Sequence, residues 1–258
     1  MSRLFDLLNR KPEGLLNIYF TAGYPGLEDT VPIIKALSDA GVDLVEIGMP
    51  YSDPLADGPT IQASSQAALK NGMSLDLIFN QVAEARKFTS MPFILMGYFN
   101  QVMQYGEEKF LSRAKESGVD ALILPDLPVE EYELHYRSMF EKYGMDITFL
   151  ITPQTPEARI RHIDQVSNSF IYMVSSNAIT GAKSGIEDYQ EDYFRRISAM
   201  GLKNPRLIGF GISNKATFDQ ACRFAQGAII GSAFINALGG GKDLAGTVSG
   251  FIRQVRQG

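Results

Sequence analysis

Two hydrophobic patterns alternate along this chain. Short runs of consecutive apolar residues are separated by longer windows in which apolar residues recur every three or four positions. The first pattern is typical of buried β-strands and the second of amphipathic α-helices. The apolar runs predict eight strands, at residues 15–21, 43–48, 93–98, 121–125, 147–152, 170–175, 206–210 and 228–231.

The helical windows between these runs end where helices commonly stop. The windows at residues 31–41, 107–118 and 132–144 each end on a glycine, which readily adopts the left-handed conformation found after the last turn of a helix. Residues 1–11 form a further amphipathic segment that is interrupted by charges, unlike a signal peptide. We therefore expect an extra helix at the N-terminus, ahead of the first strand.

The alternation of strands and helices predicts a parallel sheet that is covered on both faces. Eight such units within 258 residues favour a closed barrel over an open sheet. The first strand also runs into the sequence TAGYPG at residues 21–26, which lacks the Gly-x-Gly-x-x-Gly turn of open dinucleotide-binding sheets. We predict an α/β fold: a single (β/α)8 TIM-barrel domain spanning residues 1–258, with an N-terminal extra helix.

The composition restricts both the expected location of this protein and the classes of partner that it binds. The formal net charge of -5 and the lack of a Lys/Arg block argue against a nucleic-acid surface. No apolar run approaches the ~18 residues of a membrane span, so we expect a cytoplasmic protein. Cys222 is the only cysteine, which excludes an intramolecular disulfide, and its helical surroundings predict a role in core packing.

The second predicted strand carries a carboxylate within an apolar run. Alternation places Leu44 and Glu46 on one face of the strand, and Val45 and Ile47 on the other. If Val45 and Ile47 pack against helices, Glu46 points into the barrel mouth, where burial raises the pKa of a carboxyl and suits it to acid–base work. A structural ion pair is the alternative role for Glu46. Asp43, at the start of the strand, is interpreted as a solvated end residue.

Two further acids follow this strand in a loop rich in proline and glycine. Asp57 directly precedes a helical pattern at residues 60–70, so its local role is a helix cap or a turn. Asp53 lies between Ser52 and Pro54 and has the same local interpretation. From this local chemistry alone, contact with a substrate remains the alternative for both residues.

The last three loops after strands suggest an anion site and a lid. Gly211 follows the seventh strand, and Gly231 and Ser232 follow the eighth and open a short helical segment. Glycines and a helix start let backbone N–H groups approach an anion, and in barrels this position recurrently binds phosphate. The loop at residues 175–187 is long and made of small residues, so it is either a mobile lid or a solvated connection.

The predicted strand ends lack the residues that several reaction mechanisms require. His135 and His162 both fall in helical windows away from strand ends, and no His, Cys and acid residues have metal-ligand spacing. No predicted strand ends on a lysine, which disfavours a Schiff-base mechanism. Lys183, in the predicted lid, is the only lysine nearby.

The motifs at the strand ends resemble those of the tryptophan synthase alpha subunit family. The strongest match is EIGMPYSDPLADGPTIQ at residues 46–62. Further matches follow in the same order along the whole chain. They are FTAGYP at 20–25, MGYFN at 96–100, PDLP at 125–128, TGAK at 180–183, GFGIS at 209–213 and GS at 231–232.

The resemblance implies retro-aldol cleavage of indole-3-glycerol phosphate to indole and glyceraldehyde 3-phosphate. Glu46 matches the catalytic glutamate that protonates the indole ring at C3 and later assists removal of the hydroxyl proton. Asp57 matches the aspartate that pairs with the indole N–H as positive charge develops there. The resemblance implies neither a metal ion nor a Schiff base for this step.

The resemblance also implies roles for residues around the two acids. Tyr172 matches a tyrosine near the glycerol hydroxyls, and Thr180 matches a lid threonine that meets the loop aspartate on closure. The residues implied to line the indole slot are Tyr19, Tyr98 and Phe210. Those implied to bind phosphate are Gly181, Gly211, Gly231 and Ser232.

A protein partner is implied as well. In the family, a beta subunit that holds pyridoxal phosphate receives indole through a tunnel, usually in an alpha2–beta2 complex, so the cofactor belongs to the partner and none is expected in this chain. Pro50, Asp53 and Asn100 match the docking surface. Two departures concern the pocket and the lid: Tyr19 stands where many relatives have Phe, and Ser176-Asn177 replaces a more usual Arg-containing start of the lid.

Two other functions remain open at the level of the sequence. One is another phosphate-substrate barrel lyase or isomerase acting on a sugar phosphate without indole. The other is a catalytically weak barrel kept as a regulatory partner subunit. Intact Glu46, Asp57 and the glycines of the last loops favour the indole-releasing lyase over both.

Overall fold

Eight parallel strands close into a barrel in the order of the sequence. The computed structural model describes residues 2–55, 57–174, 188–209, 211–240 and 243–258. The predicted fold class is confirmed. The strands are β1 (Leu15–Thr21), β2 (Leu44–Gly48), β3 (Phe93–Met96), β4 (Ala121–Ile123), β5 (Asp146–Ile151), β6 (Ile171–Val174), β7 (Arg206–Gly209) and β8 (Gly227–Ile230).

Helices surround the barrel, and within the described ranges none combines the length and apolarity needed to cross a bilayer. The window at 132–144, which the sequence predicts as one helix, begins with a π-helical stretch, Tyr132–Tyr136, and continues as an α-helix. The helices are α1 (Arg3–Arg10), α2 (Thr30–Asp39), α3 (Pro59–Lys70), α4 (Leu75–Ala85), α5 (Phe99–Tyr105), α6 (Glu107–Ser117), α7 (Val129–Glu131), α8 (Arg137–Tyr143), α9 (Glu157–Val166), α10 (Asp188–Ser198), α11 (Lys215–Cys222), α12 (Ser232–Gly240) and α13 (Leu244–Gln257).

Four strands, β3, β4, β5 and β8, end one or two residues earlier than the apolar runs predict. The run at 93–98 ends as a strand at Met96, because α5 begins at Phe99 and the side chain of Gln101 accepts the backbone N–H of Tyr98 at 3.1 Å. The glycines that were predicted to end helices do so. Gly118 and Gly144 take left-handed conformations with φ of 89° and 56° after α6 and α8.

The two faces of each strand pack into different cores. Val45 and Ile47 face outward and join the large core between the barrel and its helices. Leu44 faces inward and joins a smaller cluster inside the barrel with Leu15 and Ile94. This separation follows from the period of two along a strand, and it places Glu46 on the inward face as the sequence predicts.

Helix α1 closes the N-terminal end of the barrel. Its Leu4 and Leu7 belong to the same interior cluster as the first residues of the strands. Ser2 caps the helix by accepting the Phe5 N–H at 3.1 Å, and its hydroxyl donates to Asp146 at the start of β5. This packing covers the N-terminal end of the barrel and leaves the chemistry to the C-terminal ends of the strands, where barrel enzymes carry it.

The interpretation of Asp43 as a solvated end residue is wrong. Its carboxylate accepts hydrogen bonds from Lys11 Nζ at 2.6 Å, from Arg256 Nη2 at 2.6 Å and from the Leu16 N–H at 2.8 Å. Lys11 follows α1 and Arg256 lies in α13, so Asp43 ties both chain ends to the closed end of the barrel. The sequence could not reveal this, because the two cations lie 32 and 213 residues away.

Candidate active site

Glu46 is fully buried in the barrel interior. It lies on β2 opposite Tyr19 of β1, and its Oε1 accepts a hydrogen bond from Asn17 Nδ2 at 2.5 Å. Within the described part of the chain, its second oxygen, Oε2, has no hydrogen-bond partner. A buried carboxyl with one satisfied oxygen is costly in the ionised form, because nothing replaces the water that burial removes.

Burial decides the protonation of Glu46. Loss of solvation raises the pKa of its carboxyl to about 8, while the hydrogen bond from Asn17 acts in the opposite direction. At pH 7 the group is therefore mostly neutral and holds a proton that it can donate. No cation of the described residues contributes to this shift, so the alternative of a structural ion pair does not apply to Glu46.

Asp57 lies in the loop between β2 and α3. The N-cap of α3 is Gly58 and no side chain caps the helix, so Asp57 is not a helix cap. The alternative of a turn is confirmed, because the Asp57 N–H donates to the Pro54 carbonyl at 3.0 Å. Its Oδ2 instead accepts a hydrogen bond from the hydroxyl of Tyr98 at 3.1 Å. Gln62 on α3 holds the same loop by donating to the Asp57 carbonyl at 2.8 Å.

Asp57 stays ionised where Glu46 does not. Partial burial raises the pKa of its carboxyl to about 6, and the hydrogen bond from Tyr98 lowers it. At pH 7 the barrel therefore contains one neutral acid in its interior, Glu46, and one anion at its mouth, Asp57. Two carboxyls whose pKa values are separated in this way can divide the roles of proton donor and charge stabiliser.

Two tyrosines occupy the barrel interior beside Glu46. The pKa values of Tyr19 and Tyr172 are raised by burial first, and the charges of Glu46 and Asp57 raise them further. Each hydroxyl lies where a glycine on the neighbouring strand leaves room. A Cβ added at Gly48 would lie 2.2 Å from the Tyr19 hydroxyl, and one added at Gly209 would lie 2.3 Å from that of Tyr172.

A narrow cavity with about 20 Å³ of free space for water-sized molecules lies beside Asp57 at the barrel mouth. Free space of this size holds about one water molecule. The wall is mainly apolar and aromatic around a single carboxylate. Its lining residues are Tyr19, Met49, Tyr51, Pro54, Asp57, Ser65, Met96, Gly97, Tyr98 and Pro125.

Gly211 follows β7, Gly231 follows β8, and Ser232 is the first residue of α12. These two strands are hydrogen-bonded neighbours, so their following loops are adjacent at the C-terminal end of the barrel. Gly211 has a φ of 77°, which favours glycine. The carbonyl of Gly231 accepts the Ile235 N–H at 3.0 Å, which makes Gly231 the cap of α12, and the first N–H groups of that helix are donors for an anion.

The predicted docking residues differ in exposure. Asp53 and Asn100 are exposed, whereas Pro50 is buried and its carbonyl accepts Gln101 Nε2 at 3.0 Å. Asn100 donates to the Tyr51 hydroxyl at 2.8 Å, and the Tyr51 ring stacks on Tyr98 with 5.0 Å between ring centroids. The exposed surface at Asn100 is thus connected to Asp57 through two stacked rings.

Some predicted positions lie outside the described residues. These are Thr180, Gly181 and Phe210, together with Ser176, Asn177 and Lys183 of the predicted lid. The two histidines lie on the outside: His162 pairs with Glu133 at 2.6 Å, and His135 pairs with Glu131 at 3.7 Å. Across the described ranges, no group of three His, Cys, Asp or Glu residues could hold a metal ion.

Asn17 contacts Glu46 but is not among the site residues predicted from the sequence. It is an amide within the otherwise apolar start of β1, the same signal that singled out Glu46, and alternation places it on the inward face with Leu15 and Tyr19. Met49 and Met96 were missed as well. Nothing in their local sequence distinguishes them from core methionines.

The fold and the site together define a class of protein: a closed β/α-barrel enzyme with a neutral acid in its interior, and with an anion and a small aromatic cavity at its mouth. Sequence comparison identifies the family. The family model described as "Tryptophan synthase alpha chain" matches residues 5–254, and the chain belongs to that family.

A tryptophan synthase alpha chain from Flavobacterium johnsoniae is 54% identical over 256 residues, covering 99% of this chain and 100% of the relative. One from Flavobacterium psychrophilum is 56% identical over 238 residues, covering 92% of this chain and 94% of the relative.

Solved structures support the same assignment. The tryptophan synthase subunit alpha from Legionella pneumophila superposes with a TM-score of 0.89 at 33% identity, covering 100% of this chain and 98% of that one. A chain from a tryptophan synthase complex of Pyrococcus furiosus superposes with a TM-score of 0.86 at 33% identity, covering 94% of this chain and 98% of that chain.

Proposed function

We propose that Glu46 and Asp57 carry out the reaction of this lyase family, the cleavage of indole-3-glycerol phosphate to indole and glyceraldehyde 3-phosphate. The observation that carries the proposal is their opposite protonation at neutral pH. The pKa of Glu46 is raised to about 8 and that of Asp57 to about 6, so one holds a proton while the other holds a charge. The reaction needs both functions at the same time.

The first step is a proton transfer from Glu46 to C3 of the indole ring. Protonation there interrupts the aromatic ring and places positive charge at N1, which is the electron sink for the later bond cleavage. Asp57 accepts the N1–H hydrogen bond and stabilises this charge as it develops. A charged group aimed at charge that appears only in the transition state lowers the barrier without tightening ground-state binding.

The second step breaks the bond between indole C3 and the first glycerol carbon. The hydroxyl proton of that carbon is removed, the oxygen forms the aldehyde carbonyl, and the bonding electrons return to the ring and neutralise N1. Glu46, now a carboxylate, is the base closest to this chemistry, and recovering a proton restores its starting state. One proton enters at C3 and one leaves the hydroxyl, so the cycle balances.

The surrounding residues are assigned by their positions. We assign the indole ring to the region beside Tyr19 and Tyr98, and Tyr172 to the glycerol side near Glu46. The loops after β7 and β8 hold the phosphate through Gly211, Gly231 and Ser232, where the start of α12 supplies N–H donors. We retain Phe210 for the indole slot, and Thr180 and Gly181 for the lid and the phosphate, from the family resemblance alone.

We also propose a beta chain as the partner, in an alpha2–beta2 complex in the cytoplasm. Two observations support this: the similar chain from Pyrococcus furiosus belongs to a tryptophan synthase complex, and Asp53 and Asn100 are exposed. Pro50 is buried and is assigned to shaping the docking loop from within. Pyridoxal phosphate belongs to the beta chain, which consumes the indole.

An assay of indole release tests the proposed function. The purified chain is incubated with indole-3-glycerol phosphate alone and with an added beta chain, and indole and glyceraldehyde 3-phosphate are quantified. We expect both products in equal amounts from the isolated chain, and faster release with the partner present. Turnover of a sugar phosphate without indole would favour an isomerase instead. Ligand binding with no indole in either arm would favour a regulatory subunit.

The pH dependence of kcat/KM is a second prediction. Activity requires ionised Asp57, so it falls as pH drops through the value of about 6, and it requires protonated Glu46, so it falls as pH rises through about 8. We expect a bell-shaped profile with its maximum near pH 7, measured by indole release at constant ionic strength. A rate that keeps rising above about pH 9 would contradict the role of Glu46 as the acid.

A further inference from the structure

We propose that Asn17 is the positioning residue for Glu46: its side-chain amide holds Oε1 and thereby assigns the transferable proton to Oε2. This inference rests on the proposed function, since it concerns how the acid of that reaction is oriented. Neither Asn17 nor Glu46 lines the cavity beside Asp57, and the one side-chain hydrogen bond of Asn17 among the described residues is to Glu46. Its role therefore passes through the glutamate.

The position of Asn17 suits this role. It is fully buried on β1, in the inward row of Leu15, Asn17 and Tyr19, and Tyr19 is the residue in register with Glu46. Asn17 is thus one inward position nearer the end that α1 closes, and its Nδ2 lies 2.5 Å from Glu46 Oε1. An amide on the closed side occupies one oxygen of the carboxyl and leaves the other available.

The hydrogen bond also determines which oxygen carries the proton. In a neutral carboxyl the carbonyl oxygen is the better acceptor, so the oxygen that accepts from the Asn17 N–H is the one without the proton. Oε2 therefore bears the hydrogen, and within the described ranges it has no protein partner to donate to. A buried hydroxyl without an acceptor is explained if an atom of the ligand accepts its hydrogen bond.

Asn17 has a second effect after the proton has left. The carboxylate then lies in an apolar interior, and the bond from Asn17 becomes charge-assisted and stronger. Because it favours the ionised form, it opposes the rise of the Glu46 pKa that burial causes. An interaction that strengthens as the proton is transferred acts on the transition state more than on the bound substrate.

A purely structural role does not account for this amide. Asn17 Oδ1 is buried without a partner in the described part of the chain, so the side chain satisfies only one of its own polar atoms. An apolar side chain at position 17 would avoid the cost of the unpaired oxygen. Thr148 provides the contrast. It is also buried in the barrel interior, but it lies on β5, on another side of the barrel from β2, and its hydroxyl donates to Ser169 at 2.9 Å.

The test is Asn17→Leu, which removes the donor and keeps a similar volume. We expect kcat for indole release to fall about tenfold with KM changed less than about twofold, because Glu46 becomes a weaker acid while the pocket is untouched. The alkaline limb of the kcat profile is expected to move up by about one pH unit, the scale of one charge-assisted hydrogen bond. Thr148→Val, which breaks a buried interior bond elsewhere, serves as the matched control and is expected to leave kcat and the limb unchanged.

The outcomes separate this proposal from the proposed function. If the wild-type chain releases no indole, the function itself fails. If the wild type is active and Asn17→Leu keeps both its kcat and its alkaline limb, or if Thr148→Val shows the same changes, the role of Asn17 is overturned. Asn17→Asp covers the case in which the leucine variant does not fold. It keeps the shape and places a second carboxyl beside Glu46, so an alkaline limb at the wild-type position would equally overturn the proposal.

Discussion

We expect Glu46→Gln to lower kcat for indole release by about 10³-fold, a typical effect of removing a general acid or base. Glutamine keeps the size of the side chain and accepts the same hydrogen bond from Asn17. Its amide is a far weaker acid than a carboxyl and cannot protonate indole C3. Binding should survive, because the phosphate loops and the cavity beside Asp57 are unchanged. Single-turnover indole release gives the rate, and calorimetric titration with indole-3-glycerol phosphate gives the affinity. Turnover within about tenfold of wild type would exclude Glu46 as the acid.

The stability of the same variant provides the control against simple unfolding. The pKa of Glu46 is about 8 in the folded protein against an ordinary value of 4.5, so the folded state binds more protons than the unfolded state between these values. The stability of the wild-type chain therefore decreases as pH rises through this interval. Glutamine does not titrate, so urea unfolding should show Glu46→Gln gaining stability relative to wild type between about pH 5 and pH 9.

We expect Asp57→Asn to lower kcat by about 10²-fold, the effect of losing one preorganised electrostatic contact in a transition state. The asparagine still reaches the indole N–H through its carbonyl oxygen, but it cannot balance the positive charge at N1. The acid limb of the pH profile should disappear, because the group that must be ionised is gone. The measurement is kcat and kcat/KM for indole release between about pH 5 and pH 9.

The loop that carries Asp57 offers its own matched control. Asp53 lies earlier in the same loop, is exposed, and accepts a hydrogen bond from the neighbouring Ser52 hydroxyl at 2.9 Å. We expect Asp53→Asn to change kcat of the isolated chain by less than about twofold and to alter only the response to an added beta chain. Equal losses in both variants would mean that the charge of the whole loop, and not Asp57, carries the effect.

The inward position of Glu46 could be predicted from the sequence. Side chains alternate between the faces of a strand, and Val45 and Ile47 identify the face that packs on helices. A single carboxylate in an apolar run is also a strong signal of function, because burying its charge costs free energy. Asn17 carried the same signal in β1, and a stricter use of the rule would have found it.

The state of Asp57 could not be predicted in this way. Its local sequence favours a helix cap, but the contact that decides its role comes from Tyr98, 41 residues later. That contact exists because β2 and β3 are neighbours in the barrel. The separation of the two pKa values has the same origin, since burial by the whole barrel is its largest cause.

The amino-acid sequence by itself determined the order of strands and helices, the face that each strand turns inward, and the end of the barrel where the chemistry lies. These properties depend on the spacing of apolar residues along the chain, which is local. Only the tertiary structure decided that Asn17 holds Glu46, that Tyr98 holds Asp57, and that one acid is neutral while the other is charged. These properties depend on side chains from different strands and on the water that they exclude together, and neither is encoded in any single segment.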